Sequence, residues 1–410
     1  MANTKYKFVG GIDVGNGYTK SRIFTDEKNH VIVDMPSCVS YISNSGRIPI
    51  EPDNTYMSEI WNELDADIVS DAIKDIDKGR IIFGKRSVNS GETSIVFNLD
   101  DATPKCDDSL SAEIVLGVIA AVAVKKYWDD NGALPEDKLF VNMSMGIALP
   151  ISDYMAHRKS YEKKFMDSVH TVHIHNFARD ITVDITFDEA VVLPEGAAAQ
   201  YAITDLGAEF LENVLKECRA GGVKIDESIT GNDLVSYENV VGIDIGSGNV
   251  NFVAFTNGRV NVDLSSAINK GYESVPSSVV RNLRSTPFAP QSRKELAEFM
   301  IKTNLNPQQK KLQQRLQQFI DDEVAVFARD IIMEFKSVLS KTRLNLDAVY
   351  VYGGGADAVK DTLYPMLMEA AKLDEDVYIP VIYLSSAYSR SLNRNGLCMV
   401  AQMTDKAKKN

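Results

Sequence analysis

Cysteine is scarce in this chain. The 410 residues hold four, Cys38, Cys106, Cys218 and Cys398, far apart and without a CxxC or Cys/His metal spacing. That pattern excludes a disulfide framework or a structural zinc module and reads as reduced thiols in the core or at the surface. Positive charge is also short: 44 Lys and Arg stand against 57 Asp and Glu, a net charge of −13. A general nucleic-acid or membrane-surface binder would carry a basic face, so neither is expected. The longest mainly apolar run, Ile114–Val124, is too short to span a bilayer. No amphipathic anchor marks either end, and no charged and then apolar leader precedes the first strand-like segment; a cytoplasmic protein is expected. Of the five histidines, His170, His173 and His175 cluster. On a strand, His173 and His175 share a face and His170 points away, and no acidic or Cys partner completes a metal set. The Walker loop GxxxxGK[ST] and the Rossmann GxGxxG are both missing.

What is present is ordinary in bulk and unusual in one detail. The chain is 44% apolar and 25% charged, a globular composition long enough for two domains with buried cores. The detail is an internal echo. Val9-Gly10-Gly11-Ile12-Asp13-Val14-Gly15-Asn16-Gly17 returns as Val240-Val241-Gly242-Ile243-Asp244-Ile245-Gly246-Ser247-Gly248. Five residues are identical within the seven-residue cores that start at Gly11 and Gly242, and the offset of 231 residues suits a duplicated domain, not a solenoid. In each copy apolar β-formers lead into an Asp, a Gly-x-Gly turn and a second β-pattern, Thr19 to Phe24 or Val250 to Phe255. That predicts a hairpin whose turn offers backbone N–H groups and lets phosphate oxygens approach closely. An Asp beside such a turn can hold a divalent cation, directly or through water.

Around the hairpins, residues 31–104 read as an insertion, with a helix over Met57 to Lys74 and a hairpin-like stretch over Arg80 to Phe97. Ser109 to Trp128 is an apolar helix with Asp107, Asp108 and Ser109 as candidate caps. Lys138 to Leu149 is a buried strand ended by Pro150, and a charged helix covers roughly Ser152 to Met166. Val169 to Phe177 and Ile181 to Phe187 form a two-strand unit. Leu193-Pro194-Glu195-Gly196 then opens an Ala-rich helix. In the second half a polar helix, Gln308 to Gln318, precedes a longer one from about Asp322 to Leu339. A short strand, Ala348 to Tyr352, ends in Gly353-Gly354-Gly355-Ala356, and Ser386-Ala387-Tyr388 opens a last apolar segment.

These motifs, in this order, resemble the superfamily of actin, sugar kinases and large heat-shock chaperones. Gly11 to Lys20 and Gly242 to Asn251 are similar to its two phosphate loops. Asn142 to Pro150 and Ser385 to Val400 are similar to its connecting segments, and Tyr352 to Ala356 to its adenosine loop. Within the superfamily the chain most resembles the plasmid-segregation actins of the ParM type. Leu149-Pro150 with Tyr154 nearby, Pro194-Glu195 before a small-residue helix, and the triple glycine after a Val-rich strand carry that likeness. The implied fold is α/β and actin-like (ribonuclease H-like): duplicated domains, each a mixed sheet with flanking helices, around a nucleotide cleft. The expected division is 1–238, with the 31–104 insertion, and 239–410, with a helical subdomain at about 272–341 and a segment at about 386–405 returning toward the first domain.

The resemblance also assigns roles. Gly15, Asn16, Gly17, Tyr18, Thr19 and Lys20, with Gly246, Ser247, Gly248 and Asn249, are expected to grip the β- and γ-phosphates of ATP, with GTP as the alternative. Asp13 and Asp244 match the aspartates that organise Mg²⁺ and its waters, and Asp244 is counted as catalytic. Glu195 matches the glutamate that positions the attacking water. Gly353, Gly354, Gly355 and Ala356 are expected beside the adenosine, and Lys270 and Gly271 near the nucleotide. The implied activity is ATP hydrolysis coupled to head-to-tail filament assembly, with a DNA-bound adaptor at a plasmid centromere as partner and no direct contact with nucleic acid or membrane. Three alternatives have fewer features. A small-molecule kinase lacks a motif for its second substrate. A chaperone would need a substrate domain after the ATPase unit. A cell-shape or division actin would need a membrane anchor.

Overall fold

The computed structural model describes residues 4–43, 48–97, 103–342, 345–375 and 377–409. The chain divides into two compact units, residues 1–202 with 391–410, and residues 203–390. Among the described residues no helix is long and apolar enough to cross a membrane.

Among the described residues the first unit has ten strands: β1 (Thr4–Val14), β2 (Tyr18–Phe24), β3 (His30–Pro36), β4 (Cys38–Tyr41), β5 (Asp65–Val69), β6 (Arg80–Phe83), β7 (Ile95–Val96), β8 (Leu139–Leu149), β9 (His170–Ile174) and β10 (Ile181–Pro194). They form one sheet in the order β3-β2-β1-β8-β10-β9-β5-β6-β4-β7. β1 is antiparallel to β2 and parallel to β8, and β8 is parallel to β10. Its helices are α1 (Asn54–Ser58), α2 (Gly84–Asn89), α3 (Ser109–Asn131), α4 (Ile151–Met166) and α5 (Ala197–Asp205), which runs into the second unit. Every residue of α3 from Ser109 to Val124 is buried, which its near-continuous apolar sequence demands. Asp108 caps α3 by accepting from the Leu110 N–H, and Gly132, at φ 64°, ends it. The C-terminal helix Ser386–Lys409 packs its part after Ser391 on the sheet. A Cβ on Gly11 would lie 2.3 Å from the Cys398 nitrogen, and one on its register partner Gly146 would lie 2.2 Å from the Leu397 oxygen. Gly11, which opens the seven-residue core of the echo, therefore makes room for a helix, not for a ligand.

The second unit repeats the central pairing. β11 (Val240–Ile245) is antiparallel to β12 (Val250–Thr256) and parallel to β15 (Ala348–Tyr352), and β15 is parallel to β18 (Val381–Tyr383). β13 (Arg259–Val260) and β14 (Ser266–Ile268) both pair with β12, while β16 (Lys372–Asp374) and β17 (Val377–Tyr378) form a separate ribbon. The helices are α6 (Gly207–Ala220), α7 (Gly231–Ser236), α8 (Ser274–Leu283), α9 (Arg293–Met300), α10 (Pro307–Thr342), α11 (Ala356–Ala370) and the start of α12 (Ser386–Lys409). The core joins β11, β12 and β15 to α10 and α11 through Ile243, Phe252, Phe327, Ile331, Val351 and Leu363.

Three expectations are corrected. The predicted helix Met57–Lys74 is only α1, a 3₁₀ turn at Ile60–Asn62 and strand β5. β5 pairs with both β9 and β6, and its buried Asp65 accepts from the Arg80 Nε at 2.7 Å and Nη2 at 3.0 Å. These partners override the local pattern. The stretch Arg80–Phe97 is not a hairpin, because α2 intervenes and β4 lies between β6 and β7 in the sheet. The two helices expected at Gln308–Gln318 and Asp322–Leu339 are the single helix α10. Leu316 packs in a small cluster with α8 and α9, Val324, Phe327 and Ile331 pack in the main core, and half-buried Ile320 touches both, so the helix has no reason to stop between them.

Candidate functional site

In the first unit, the β1–β2 turn is closed by the Gly15 N–H donating to the Tyr18 oxygen at 3.1 Å and the Ser37 N–H donating to the Gly17 oxygen at 3.0 Å. A Cβ on Gly15 would come within 2.7 Å of the Tyr18 oxygen, so only glycine fits. Thr19 is buried with its hydroxyl 2.8 Å from that of Ser37, and Tyr18 is exposed. Of these two predicted contacts, Thr19 supports the turn and Tyr18 faces solvent.

The antiparallel register sets Asp13 opposite Lys20. Among the described residues nothing hydrogen-bonds the Asp13 carboxylate. Burial pushes its pKa up to about 6; the charge of Glu195 adds to the rise, and Lys20, Lys105 and Arg394 oppose it. A carboxylate in that state gains from a cation.

Glu195 sits where β10 ends. Its N–H extends the ladder by donating to the Leu149 oxygen at 2.7 Å, and Gly196, at φ 82°, turns the chain into α5. The carboxylate is thus held at the carboxyl end of β10, beside the end of β8. Its Oε1 accepts from the Lys105 Nζ at 2.8 Å. Both side chains are nearly enclosed, Lys105 at 6% and Glu195 at 12% exposure. Asp13, Lys20, Glu195, Lys105 and Arg394 form one group of charges in this unit.

The second unit gathers the other predicted residues. The Gly246 N–H donates to the Asn249 oxygen at 2.9 Å, closing the β11–β12 turn around Ser247 and Gly248. The N–H groups of Tyr272 and Glu273 donate to the oxygens of Gly246 and Ser247, both at 3.0 Å, so the segment after Lys270 lies against the turn. A Cβ on Gly271 would lie 2.2 Å from the Ser247 oxygen. Gly353, at φ 104°, abuts Asp244: a Cβ there would meet the Asp244 Oδ1 and the Ile245 oxygen, each at 2.5 Å. Gly355 donates to the Ile245 oxygen at 2.9 Å, while nothing lies within 4 Å of a Cβ placed on Gly354. Asp244, the turn, Gly271 and the triple glycine therefore form one continuous backbone surface. Ala356 is buried and opens α11, so its side chain is core. The Lys270 ammonium is engaged by Asp330 of α10 at 2.5 Å.

The two hairpins differ in charge. At the position matching Lys20, the second hairpin carries Asn251, which is buried opposite Asp244. One turn is flanked by a cation and the other by an amide.

Other candidates have structural duties. His170 is in the core, 2.7 Å from the Ser70 hydroxyl and 2.9 Å from the Phe165 oxygen. His175 lies between Asp67 at 2.5 Å and Asp180 at 3.1 Å. Cys106, Asp107 and His157 bring potential ligand atoms within 4.8 Å of one another, but the Lys164 ammonium stands 3.6 Å from Asp107. A cavity of about 960 Å³ opens beside edge strand β3, and of the predicted site residues only Tyr18 borders it.

Comparison with known structures agrees with this architecture. The apo ParM protein of psk41 superposes with a TM-score of 0.57 over 100% of both chains at 13% identity. An archaeal actin homologue gives 0.58 over 97% of this chain and 99% of its own, at 15% identity. ParM of Bacillus thuringiensis with AMPPNP gives 0.59 over 98% and 100%, at 14% identity. The fold is therefore actin-like. Residues 242–364 of this actin-like chain also match the family described as archaeal actin homologue MreB-like, C-terminal. A search of curated proteins by sequence finds no match.

Sequence reasoning missed Lys105 and Arg394. Lys105 belongs to no motif and reaches Glu195 across 90 residues of chain. Arg394 falls inside a segment singled out only as a connector. Neither carries a local signal.

Proposed function

We propose that this chain is an ATP hydrolase whose nucleotide state controls assembly into head-to-tail filaments. The observation that carries the reading is the duplicated Asp-x-Gly-x-Gly hairpin, accompanied in the first unit by the enclosed Glu195 carboxylate and in the second by the glycine surface beside Asp244. Structures of the same fold with ADP, AMPPNP and ATP support a nucleotide as the ligand.

The residues fit such a ligand. The turn amides and Lys20 supply donors and positive charge for phosphate oxygens. Gly354 leaves backbone open for a flat base or ribose. Asp13 in the first unit and Asp244 in the second each offer a carboxylate suited to a hydrated Mg²⁺, which would supply charge neutralisation at the phosphates. Glu195 orients a water and accepts its proton as the oxygen attacks the γ-phosphorus, and the bond to the β–γ bridging oxygen breaks to release ADP and phosphate. Lys270, Gly271 and Gly353 to Gly355 line the nucleotide side of the second unit. ATP favours the polymerising form and hydrolysis weakens subunit contacts. Heterologous contacts of this kind leave an open end that a DNA-bound adaptor can capture, and segregation of plasmid DNA is the role we propose for it.

The test is light scattering of the purified chain on adding ATP with Mg²⁺, followed by pelleting and electron microscopy. The reading expects scattering that rises and then decays, and a Glu195→Ala variant that assembles but decays far more slowly. Tight ATP binding without polymer at any concentration or salt would instead favour a monomeric kinase.

A further inference from the structure

A buried lysine is costly unless its ammonium is paired, because its hydration is lost. Lys105 is enclosed and spends its charge on Glu195, at 2.8 Å. The backbone is arranged to deliver it there. The Lys105 N–H donates to the Asp153 Oδ2 at 2.8 Å, tying the 3₁₀ turn Lys105–Asp107 to α4. The ammonium also stands 5.3 Å from the centre of the Phe97 ring. Glu195 and Asp13 are close enough for the charge of one to disfavour that of the other, and Lys105 acts on Asp13 in the opposite sense.

We propose that Lys105 is a positioning residue for hydrolysis, holding the Glu195 carboxylate in one place and offsetting its repulsion with Asp13. The inference rests on the reading of Glu195 as the water-orienting carboxylate. Lys105 neither gains nor loses a proton in the reaction; the water's proton goes to Glu195. Its removal leaves nucleotide contacts in place and loosens the group that aims the water, so the loss falls on kcat and not on KM.

The experiment compares wild type, Lys105→Met, Lys105→Arg, Glu195→Gln and the double variant Lys105→Met/Glu195→Gln. It follows single-turnover and steady-state hydrolysis of ATP with Mg²⁺, and binding of a fluorescent ATP analogue. Lys105→Met should lower kcat by roughly 10- to 100-fold with KM and analogue affinity within about threefold of wild type. Lys105→Arg should recover most of kcat, since it restores the cation. The double variant should be no slower than Glu195→Gln within about twofold, because Lys105 acts through Glu195. A folded Lys105→Met with wild-type kcat, an equal loss in kcat and affinity without rescue by Arg, or a double variant far slower than Glu195→Gln would each overturn the proposal. Should Lys105→Met fail to fold, Asp153→Asn serves as the second variant. It loosens the Lys105 backbone while keeping the ammonium, and an unchanged kcat there would overturn the proposal. Wild-type hydrolysis by Glu195→Gln would instead show that the reading of Glu195 has failed, whatever Lys105 does.

Discussion

Asp13 is an acid held where its charge is uncomfortable. The folded protein keeps its proton up to about pH 6, whereas an ordinary Asp releases it near 3.8. The folded state binds the proton more tightly, so the contribution to stability is fully present below about 3.8 and is lost as pH rises through about 6. Asp13→Asn removes that penalty. The variant should be more stable than wild type by about 1–2 kcal/mol at pH 7.5, a figure lowered for partial solvent access, and no more stable near pH 4. Urea denaturation at the two pH values checks this. The same variant should bind ATP with Mg²⁺ more weakly by at least about tenfold, the trade between stability and function expected at a site built for a cation. Glu195 gives the complementary case. Glu195→Gln should leave ATP affinity close to wild type and reduce turnover by roughly 10²- to 10⁴-fold. A variant that lost affinity but kept turnover would assign Glu195 to binding.

At the scale of elements, the glycines of the second unit act together. Gly271 and Gly353 let two separate segments rest on the β11–β12 turn. Gly271→Ala would drive a methyl into the Ser247 oxygen, and Gly353→Ala combines such a clash with a left-handed backbone. Each should weaken ATP binding by about tenfold or more. Gly354→Ala, with open space around it, should fold normally, and its binding loss would report contact with the ligand itself. Isothermal titration of the three variants separates these outcomes. In the first unit, α3 carries Glu113 among apolar neighbours. Burial, with the charges of Asp77 and Asp108 adding, pushes its pKa up to about 8, and a hydrogen bond with Tyr41 works the other way. The ordinary value is 4.5, so stability should fall as pH rises between about 4.5 and 8. Glu113→Gln should flatten that slope and unfold at higher temperature than wild type at pH 8.5. The elements also mark where local pattern was sufficient. The hairpins at Asp13 and Asp244 and the cap at Asp108 depend on neighbours within a few residues, so they were legible. The local pattern of β5 suits a helix, and its partners β9 and β6, which make it a strand, lie elsewhere in the chain. The polar stretch of α10 around Gln308 to Gln318 looks like a separate helix, because only Leu316 within it is buried.

At the scale of the whole molecule, the net charge of −13 opposes any contact between copies of the chain. If the protein assembles with ATP, raising salt from about 20 to 150 mM should lower the concentration needed for polymer, because screening weakens the repulsion. Pelleting across a salt series measures it. Assembly that weakens steadily with salt would mean that contacts between unlike charges dominate the interface.

The sequence by itself determined the duplication, the two Asp-x-Gly-x-Gly hairpins and the glycine strand end, because each is a short stretch whose own residues impose its turn or packing. It also placed Glu195 at a strand-to-helix junction, since Pro194, Glu195 and Gly196 with the alanines after them are local punctuation. Only the tertiary structure decided what surrounds those residues. Lys105 meets Glu195 across 90 positions, Gly353 abuts Asp244, and Gly11 makes way for a helix from the far end of the chain. Each of these depends on burial, which brings distant residues together wherever their charges and shapes can be satisfied, and a linear pattern carries no record of that choice.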